Sequence, residues 1–567
     1  MTRTDRAPGR GFLAVVERRL LRVESGRLPT PAGAARDGDG RWVVGDILLT
    51  GRAPAGSSPD RAERSTDAAF VLATIAQWGS AAPEHLRGEY CLVAWDAPRR
   101  TLLAARDGIG LRLLYVACTD TALAFSDDVA QLAGHSGADV SFDAGALAAF
   151  LVDGTDEDVT RTVYRGVRAI PAGHTVTWTS DATAAGSRRH WQFPSPLVMG
   201  RRAARDLPAR FNATLDAAVG DRLRAPTASI LLSGGIDSAS IAASVRRVRP
   251  DVALTGVTST YAPLIAELEL PWTRRVADHL GIPLEAVPCA SQPPLGVGVA
   301  GPPLPLDEPT WLEWCATVAR AAAWSETILY GEDGDALFLP ATLGEMLRAE
   351  RWPGVAGAIL CHALHHGRLP FLGTGWRRHF GAPLVDVMRP RPPWLRATVR
   401  TAAEPAPFVS VQAADASPHR DWPRRRLTSP LVQSLSRAMS GASTGVAATF
   451  RLPLMDDRVL ALAMAAPSVP WLQGKRLIRV AAAHARALPP EIIWRPKTPV
   501  RGHHEALVAL WRSRWDGTVA VAPELQEWVD VAILRDTLRR DSDFAVSDAW
   551  RVLELSAWLG QHRRGGG

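Results

Sequence analysis

Cysteine is scarce. The 567-residue chain has five, at Cys91, Cys118, Cys289, Cys315 and Cys361, all after position 90 and none in a CxxC pair. Such spacing excludes a disulfide framework and fits a reduced, cytoplasmic setting with buried thiols. Long apolar runs are missing too: charges break each one, as where Met455 is followed by Asp456, Asp457 and Arg458, so no membrane span is expected. Arg3, Arg6 and Arg10 precede no apolar stretch with a small-residue cleavage site, and no secretory signal is expected. The net charge is +7, but Lys and Arg form no long tract and no nucleic-acid motif is present. The basic balance is expected to draw in an anion, such as ATP or an acidic peptide, and not nucleic acid. No internal repeat is found.

The rest of the composition is ordinary. Hydrophobic residues make up 47% and charged residues 22%, as in a soluble globular protein. The length calls for two or three domains. Up to about Pro196 the pattern alternates as strands do, in Trp42–Leu49, Tyr90–Trp95, Thr101–Ala105 and His174–Trp178, with helices expected over Asp67–Trp78 and Asp143–Leu151. This predicts an α+β or sandwich-like domain with mostly antiparallel pairing. A boundary is expected within Pro194–Arg205, giving domains 1–200 and 201–567. Beyond it, helix (Ala203–Arg224), strand (Ser229–Leu232), helix (Ala239–Val248), strand (Val252–Val257), helix (Trp272–Leu280) and strand (Leu284–Val287) alternate. That order predicts a parallel, doubly wound sheet. After Leu337 the chain reads as mainly helical, with Pro- and Arg-rich loops between Arg389 and Arg426.

The segment Leu231-Leu232-Ser233-Gly234-Gly235-Ile236-Asp237-Ser238 joins an apolar strand to a helix. Strand ends of this kind bind ligands in doubly wound sheets. Gly234 and Gly235 allow a tight turn and a close backbone approach; Ser233, Ser238 and the free N–H groups of the helix start can hold a phosphate. Asp237 adds a carboxylate suited to Mg²⁺. The segment is neither a GxxxxGK[ST] loop nor a GxGxxG fingerprint.

The string SGGxDS resembles the pyrophosphate loop of enzymes that split ATP into AMP and pyrophosphate, and nearly the whole chain, except about Pro340 to Ser440, resembles the asparagine-synthetase B family. Glu269 ahead of Arg274–Gly281, Asp307-Glu308-Pro309, Gly331–Phe338, Arg451–Asp456, Lys475 with Arg479, and Arg495-Pro496-Lys497 resemble family segments in their expected order. Leu86–Tyr90, Asp96, Arg106–Gly110 and Ile170–His174 resemble its glutaminase domain. The resemblance implies an α+β glutaminase-like, Ntn-hydrolase-type N-terminal domain. It implies an α/β doubly wound PP-loop ATP pyrophosphatase domain after it, with a helical C-terminal part. The family's glutaminase uses a cysteine exposed after Met1; here position 2 is Thr2. The N-terminal domain is therefore expected to lack glutaminase activity and to serve by packing.

For the synthetase half, the resemblance implies ATP and Mg²⁺, with Asp237 and Asp335 holding the metal. Leu232, Ser259 and Gly331 would contact adenosine. Lys497 would steady charge on the α-phosphate and the developing oxyanion, unless it is a surface lysine. Glu332 stands where bicyclic β-lactam synthetases carry a tyrosine; it would orient the attacking amine or accept its proton, or serve the phosphate loop. Ala336, and Leu339-Pro340 in place of Gly-Gly, depart from asparagine synthetase proper. The chain looks most like the lasso-peptide cyclase branch. Such enzymes adenylate an Asp or Glu side chain of a precursor peptide, and the peptide's N-terminal amine then closes a macrolactam. The implied partners are that precursor peptide, a leader peptidase and a leader-recognition protein. Trp352, Trp376, Trp394 and Trp422 are candidates for the wall of a peptide cavity or for core. A β-lactam-type ring closure, a small-amine amide ligase and a non-catalytic scaffold are the other readings.

Overall fold

The computed structural model describes residues 12–17, 23–25, 33–51, 66–289 (except 120–121, 136, 157, 180–184, 201 and 263), 302–338 (except 309 and 333), 356, 359–360, 363–364, 392–402, 421–495 and 503–564 (except 516 and 541–542). The N-terminal half holds two antiparallel sheets. The first has the order β2 (Val23–Ser25), β1 (Leu13–Glu17), β8 (Ala122–Ser126), β7 (Tyr115–Cys118), β9 (Val167–Ala169). The second runs β11 (Gly186–Arg189), β10 (His174–Thr179), β6 (Thr101–Arg106), β5 (Gly88–Asp96), β4 (Trp42–Leu49), β3 (Ala34–Arg36).

Two-residue periodicity makes this a layered domain. In β5, Cys91 and Val93 face the first sheet beside Phe125, Leu114 and Val16. Their neighbours Leu92 and Ala94 face the other way, onto Val71, Leu72 and Ile75 of helix α1 (Asp67–Trp78). The outer side of the first sheet, through Tyr115, Ala117 and Ala124, packs on Leu147 and Leu151 of helix α2 (Ala144–Asp153). The result is helix, sheet, sheet, helix. The α2 layer also takes in Trp394, Trp511, Trp528, Trp550 and Trp558, so the two halves of the chain share one core. Trp394 is fully buried there and is a core residue, not a cavity wall. Trp352 and Trp376 lie outside the described residues, as does the Trp422 side chain. Within the expected loop region, Ala397–Ala402 is a 3₁₀ turn, Asp421–Leu427 a helix, and Leu395 bridges Val529.

The second half is built on a five-stranded parallel sheet in the order β14 (Leu284–Pro288), β13 (Ala253–Thr260), β12 (Thr227–Leu231), β15 (Thr327–Leu329), β16 (Thr449–Arg451). Helix α3 (Leu207–Arg222) precedes it; α4 (Ile236–Val248), α5 (Leu270–Leu280) and α6 (Trp311–Trp324) are the crossovers, and α7 (Gly334–Phe338) follows β15. The chain first builds outward from β12 to β14, then returns to add β15 and β16 on the other side. Right-handed crossovers in opposite directions place α4 and α5 on one face and α6 on the other. The reversal makes a switch point between β12 and β15. α3 is shorter at both ends than the expected Ala203–Arg224, with Pro208 in its first turn. α4 starts earlier than expected, at Ile236, directly after the glycines.

A buried ion-pair knot joins the halves. Glu89 of β5 is about 1% exposed. Its carboxylate accepts from Arg222 Nε at 2.7 Å, Arg112 Nη2 at 2.7 Å and Arg451 Nη1 at 2.9 Å. Arg222 reaches on to Asp456 at 2.7 Å. Asp456 also caps helix α8 (Asp457–Ala465) through Arg458 N. Burial pushes the Glu89 carboxyl up, but Arg222, Arg112 and Arg451 outweigh it and hold it well below its ordinary range. Burial likewise opposes ionisation of Asp456, and Arg458 and Arg222 hold it at about 2. Both groups are depressed, so their stabilisation is complete above the ordinary values of 4.5 and 3.8 and is lost as pH falls toward 2. Replacing Glu89 by Gln strands buried guanidinium charge. It is expected to cost about 3–5 kcal/mol in denaturant unfolding at pH 7, with the difference from the wild type shrinking below pH 4.

Candidate active site

The site forms at the carboxyl ends of β12 and β15, the neighbouring strands at the switch point. After Leu232, which is buried, Ser233 to Gly235 turn the chain into α4. The turn holds itself: Ser238 Oγ accepts from Ser233 N at 3.0 Å and lies 3.0 Å from Ser233 Oγ, which accepts from Gly235 N at 3.2 Å. Gly235 is the N-cap of α4 and gives no side-chain cap. The first-turn N–H groups are therefore left without a side-chain cap, as at helix starts that bind an anion.

Asp237 and Asp335 come from the first turns of α4 and α7. Glycines let these turns approach. A Cβ on Gly331 would lie 3.0 Å from Ser238 N, and one on Gly334 would lie 2.7 Å from the Asp237 carboxyl carbon. Lys475 binds both carboxylates: its ammonium pairs with Asp237 and stands 2.7 Å from Asp335 Oδ1. Gly474 and Lys475 both have positive φ, at 54° and 60°. For a lysine that backbone is uncommon. Arg479 secures it, donating to Gly474 O at 2.9 Å and to Ile493 O. Two carboxylates close enough to share one ammonium are hard oxygen donors that fit a divalent cation of the Mg²⁺ type.

The structure brings together Leu232, Ser233, Gly234, Gly235, Asp237, Ser238, Gly331 and Asp335. Ser259 is at the end of β13, with its hydroxyl 2.8 Å from Thr317 Oγ1 of α6. Glu332 lies in the turn after Gly331. Tyr330 packs on Trp314 and Phe450, its backbone bonded to Arg451 O at 3.0 Å. Lys497 is outside the described residues. In the sequence, Lys475, Glu269 and Arg495 stand only as motif members, with no local pattern that assigns them a task. Their partners lie more than 200 positions away in the chain.

A cavity of about 100 Å³ opens between the domains, lined among others by Cys91, Asp46, Asp127, Arg112 and Phe450. Burial pushes the Cys91 thiol well up and the Asp127 carboxyl to about 8. A thiol so placed is not an activated nucleophile.

A family model described as asparagine synthase matches residues 210–560. The chain belongs to the asparagine synthase family. A glutamine amidotransferase domain model matches residues 57–191, ahead of it. The family's "putative asparagine synthetase (glutamine-hydrolyzing)" of Mycobacterium bovis is 26% identical over 542 residues, covering 87% of this chain and 79% of that protein. Amidase chyE of Penicillium rubens is 29% identical over 184 residues, 32% of this chain and 26% of that protein. Asparagine synthetase (glutamine-hydrolyzing) 3 of Bacillus subtilis is 24% identical over 240 residues, 41% of this chain and 37% of that protein. The chain thus spans about a quarter of chyE's length in its match and just over a third of the Bacillus protein's. Among the described residues no helix is long and apolar enough to cross a membrane.

Two outcomes are expected. Mg²⁺ with ATP should raise the melting temperature of the wild type by a few degrees, and Asp237→Asn or Asp335→Asn should remove most of that rise. Glutamine should release no glutamate on incubation with the enzyme, and Cys91→Ala should leave amide formation from other amines unchanged.

Proposed function

We propose that this protein is an ATP-consuming, AMP- and pyrophosphate-forming amide ligase that closes a macrolactam in a precursor peptide, as lasso-peptide cyclases do. The observation that carries the reading is the switch-point site: a phosphate-sized loop at a helix N-terminus, faced by Asp237 and Asp335 from two neighbouring strand ends. Loop amides and the Ser233 and Ser238 hydroxyls hold the phosphates. Asp237 and Asp335 would hold Mg²⁺, which supplies positive charge to the phosphate oxygens. Lys475, already paired to both carboxylates, yields its place and keeps its charge beside the same oxygens.

A side-chain carboxylate of the peptide attacks the α-phosphorus, its oxygen forms the new P–O bond, and pyrophosphate leaves. The peptide's N-terminal amine then attacks the acyl carbon; the C–O bond to AMP breaks, and one proton passes from nitrogen to a base. Glu332 is the residue proposed to orient that amine or take its proton, and Lys497 the one proposed to steady the oxyanion. The buried Cys91 thiol favours an amine drawn from elsewhere than glutamine. A leader peptidase and a leader-recognition protein are the partners that would present the freed amine.

The relatives named asparagine synthetase favour amide formation by a small-molecule ligase, and so a second reading, an amide ligase acting on ammonia or another small amine. Mass spectrometry separates the two. The enzyme is given ATP, Mg²⁺ and a leaderless peptide bearing an internal Asp or Glu, and AMP is followed in parallel. Loss of one water from the peptide with equimolar AMP is expected. AMP formed only when ammonia and a small carboxylate are supplied would replace the macrolactam reading with the second one. Asp237→Ala should lower AMP formation by at least about 100-fold.

A further inference from the structure

Arg495 makes contacts that neither phosphate binding nor the metal pair requires. Its guanidinium donates to Gly234 O at 3.1 Å. The same group forms a two-pronged pair with Glu269, with Nη1 3.1 Å from Oε2 and Nη2 on Oε1. Its guanidinium carbon lies over the Trp272 ring, 4.9 Å from the ring centroid. The side chain is about 8% exposed. Glu269 is the N-cap position of α5, and its carbonyl accepts from Trp272 N and Thr273 N at 3.0 Å. The start of α5 thus offers Arg495 a carboxylate and an aromatic face at once. The cluster fits tightly around Gly234, where an added Cβ would meet Trp272 Cβ and come within 2.6 Å of Arg495 Nη1.

We propose that Arg495 is a positioning residue that sets the phosphate-binding geometry of the Ser233–Ser238 loop, acting through a clamp completed by Glu269 and Trp272. The proposal rests on the nucleotide reading of that loop. The peptide between Gly234 and Gly235 is planar, so turning its carbonyl toward Arg495 turns the Gly235 N–H to the opposite side. That N–H donates to Ser233 Oγ at 3.2 Å, so holding the carbonyl also fixes the turn that sets the Ser233 hydroxyl ahead of the α4 amides. Glu269 occupies both prongs of the guanidinium, so Arg495 grips the backbone and does not compete for the phosphate itself. Lysine keeps the charge but has neither the fork nor the stacking plane, and it is no substitute in such a clamp.

Isothermal titration of the full-length protein with Mg·ATP, and separately with adenosine, tests this. Arg495→Lys and Glu269→Gln are each expected to weaken Mg·ATP binding about tenfold or more while adenosine affinity stays at the wild-type value. Because adenosine has no phosphate, a merely structural loss would lower both affinities together. Unchanged Mg·ATP affinity in both variants, or equal loss of ATP and adenosine, overturns the clamp while the wild-type titration still supports nucleotide binding. A wild type that binds no Mg·ATP overturns the nucleotide reading, and the clamp with it. If Arg495→Lys does not fold, Glu269→Gln decides the question, since it removes the grip and leaves the arginine in place.

Discussion

A carboxylate can be as buried as Glu89 only where positive charge surrounds it, and here that charge comes from both domains. Arg112 belongs to the N-terminal sandwich, Arg222 ends the helix before the parallel sheet, and Arg451 lies on that sheet's last strand. Through Arg451 the knot holds β16, which pairs with β15. β15 leads directly to Gly331 and Asp335. Through Arg222 and Asp456 it fixes the start of α8. The position of one half of the candidate site is therefore referred to a residue of the amidotransferase-like domain. The burial of these charges costs free energy, and the network gives in return a single relative placement of two sheets.

The site has the complementary character. Its charges are partly exposed, and its central cation is a lysine held in an uncommon backbone conformation. With Asp237 and Asp335 facing each other, some positive charge must stand between them. Lys475 meets that need within the chain. Arg479 restrains the Gly474–Lys475 turn from behind, while Arg495 restrains the loop from the other side. Two arginines that touch backbone carbonyls thus restrain the Gly474–Lys475 turn and the Ser233–Ser238 loop.

Much of this was legible in the sequence. Alternation gave the strand Trp42–Leu49 to the residue, the expected helix Asp67–Trp78 has the bounds observed, and the change from period two to strand–helix succession marked the parallel sheet. The loop from Ser233 to Ser238 was legible because strand, glycines and helix start are contiguous. What was hidden lies in pairs remote along the chain: Lys475 with Asp237, Arg495 with Glu269, Arg451 with Glu89. No local pattern encodes such pairs. The motif residues were visible, but their tasks were not. Arg451 and Asp456 serve the domain junction, Asp307 pairs with Arg551 at 2.8 Å, and Asp107 closes its own turn by accepting from Gly110, Leu111 and Arg112. Trp394 shows the same limit, since aromatic content alone does not separate a cavity wall from core.

The shared layer around α2 has a bearing on how this protein can be cut and recombined. That layer is filled from opposite ends of the chain: Leu147 and Leu151 from the first third, Trp550, Leu555 and Leu559 from the last turns. A chimaera joined at residue 200 would inherit one side of the layer from each parent. Crossover in the linker is thus a poor route to new variants, however clean the break looks in the sequence. Selection for folding alone would keep the amidotransferase-like half in place, generation after generation, whatever reaction it carries out.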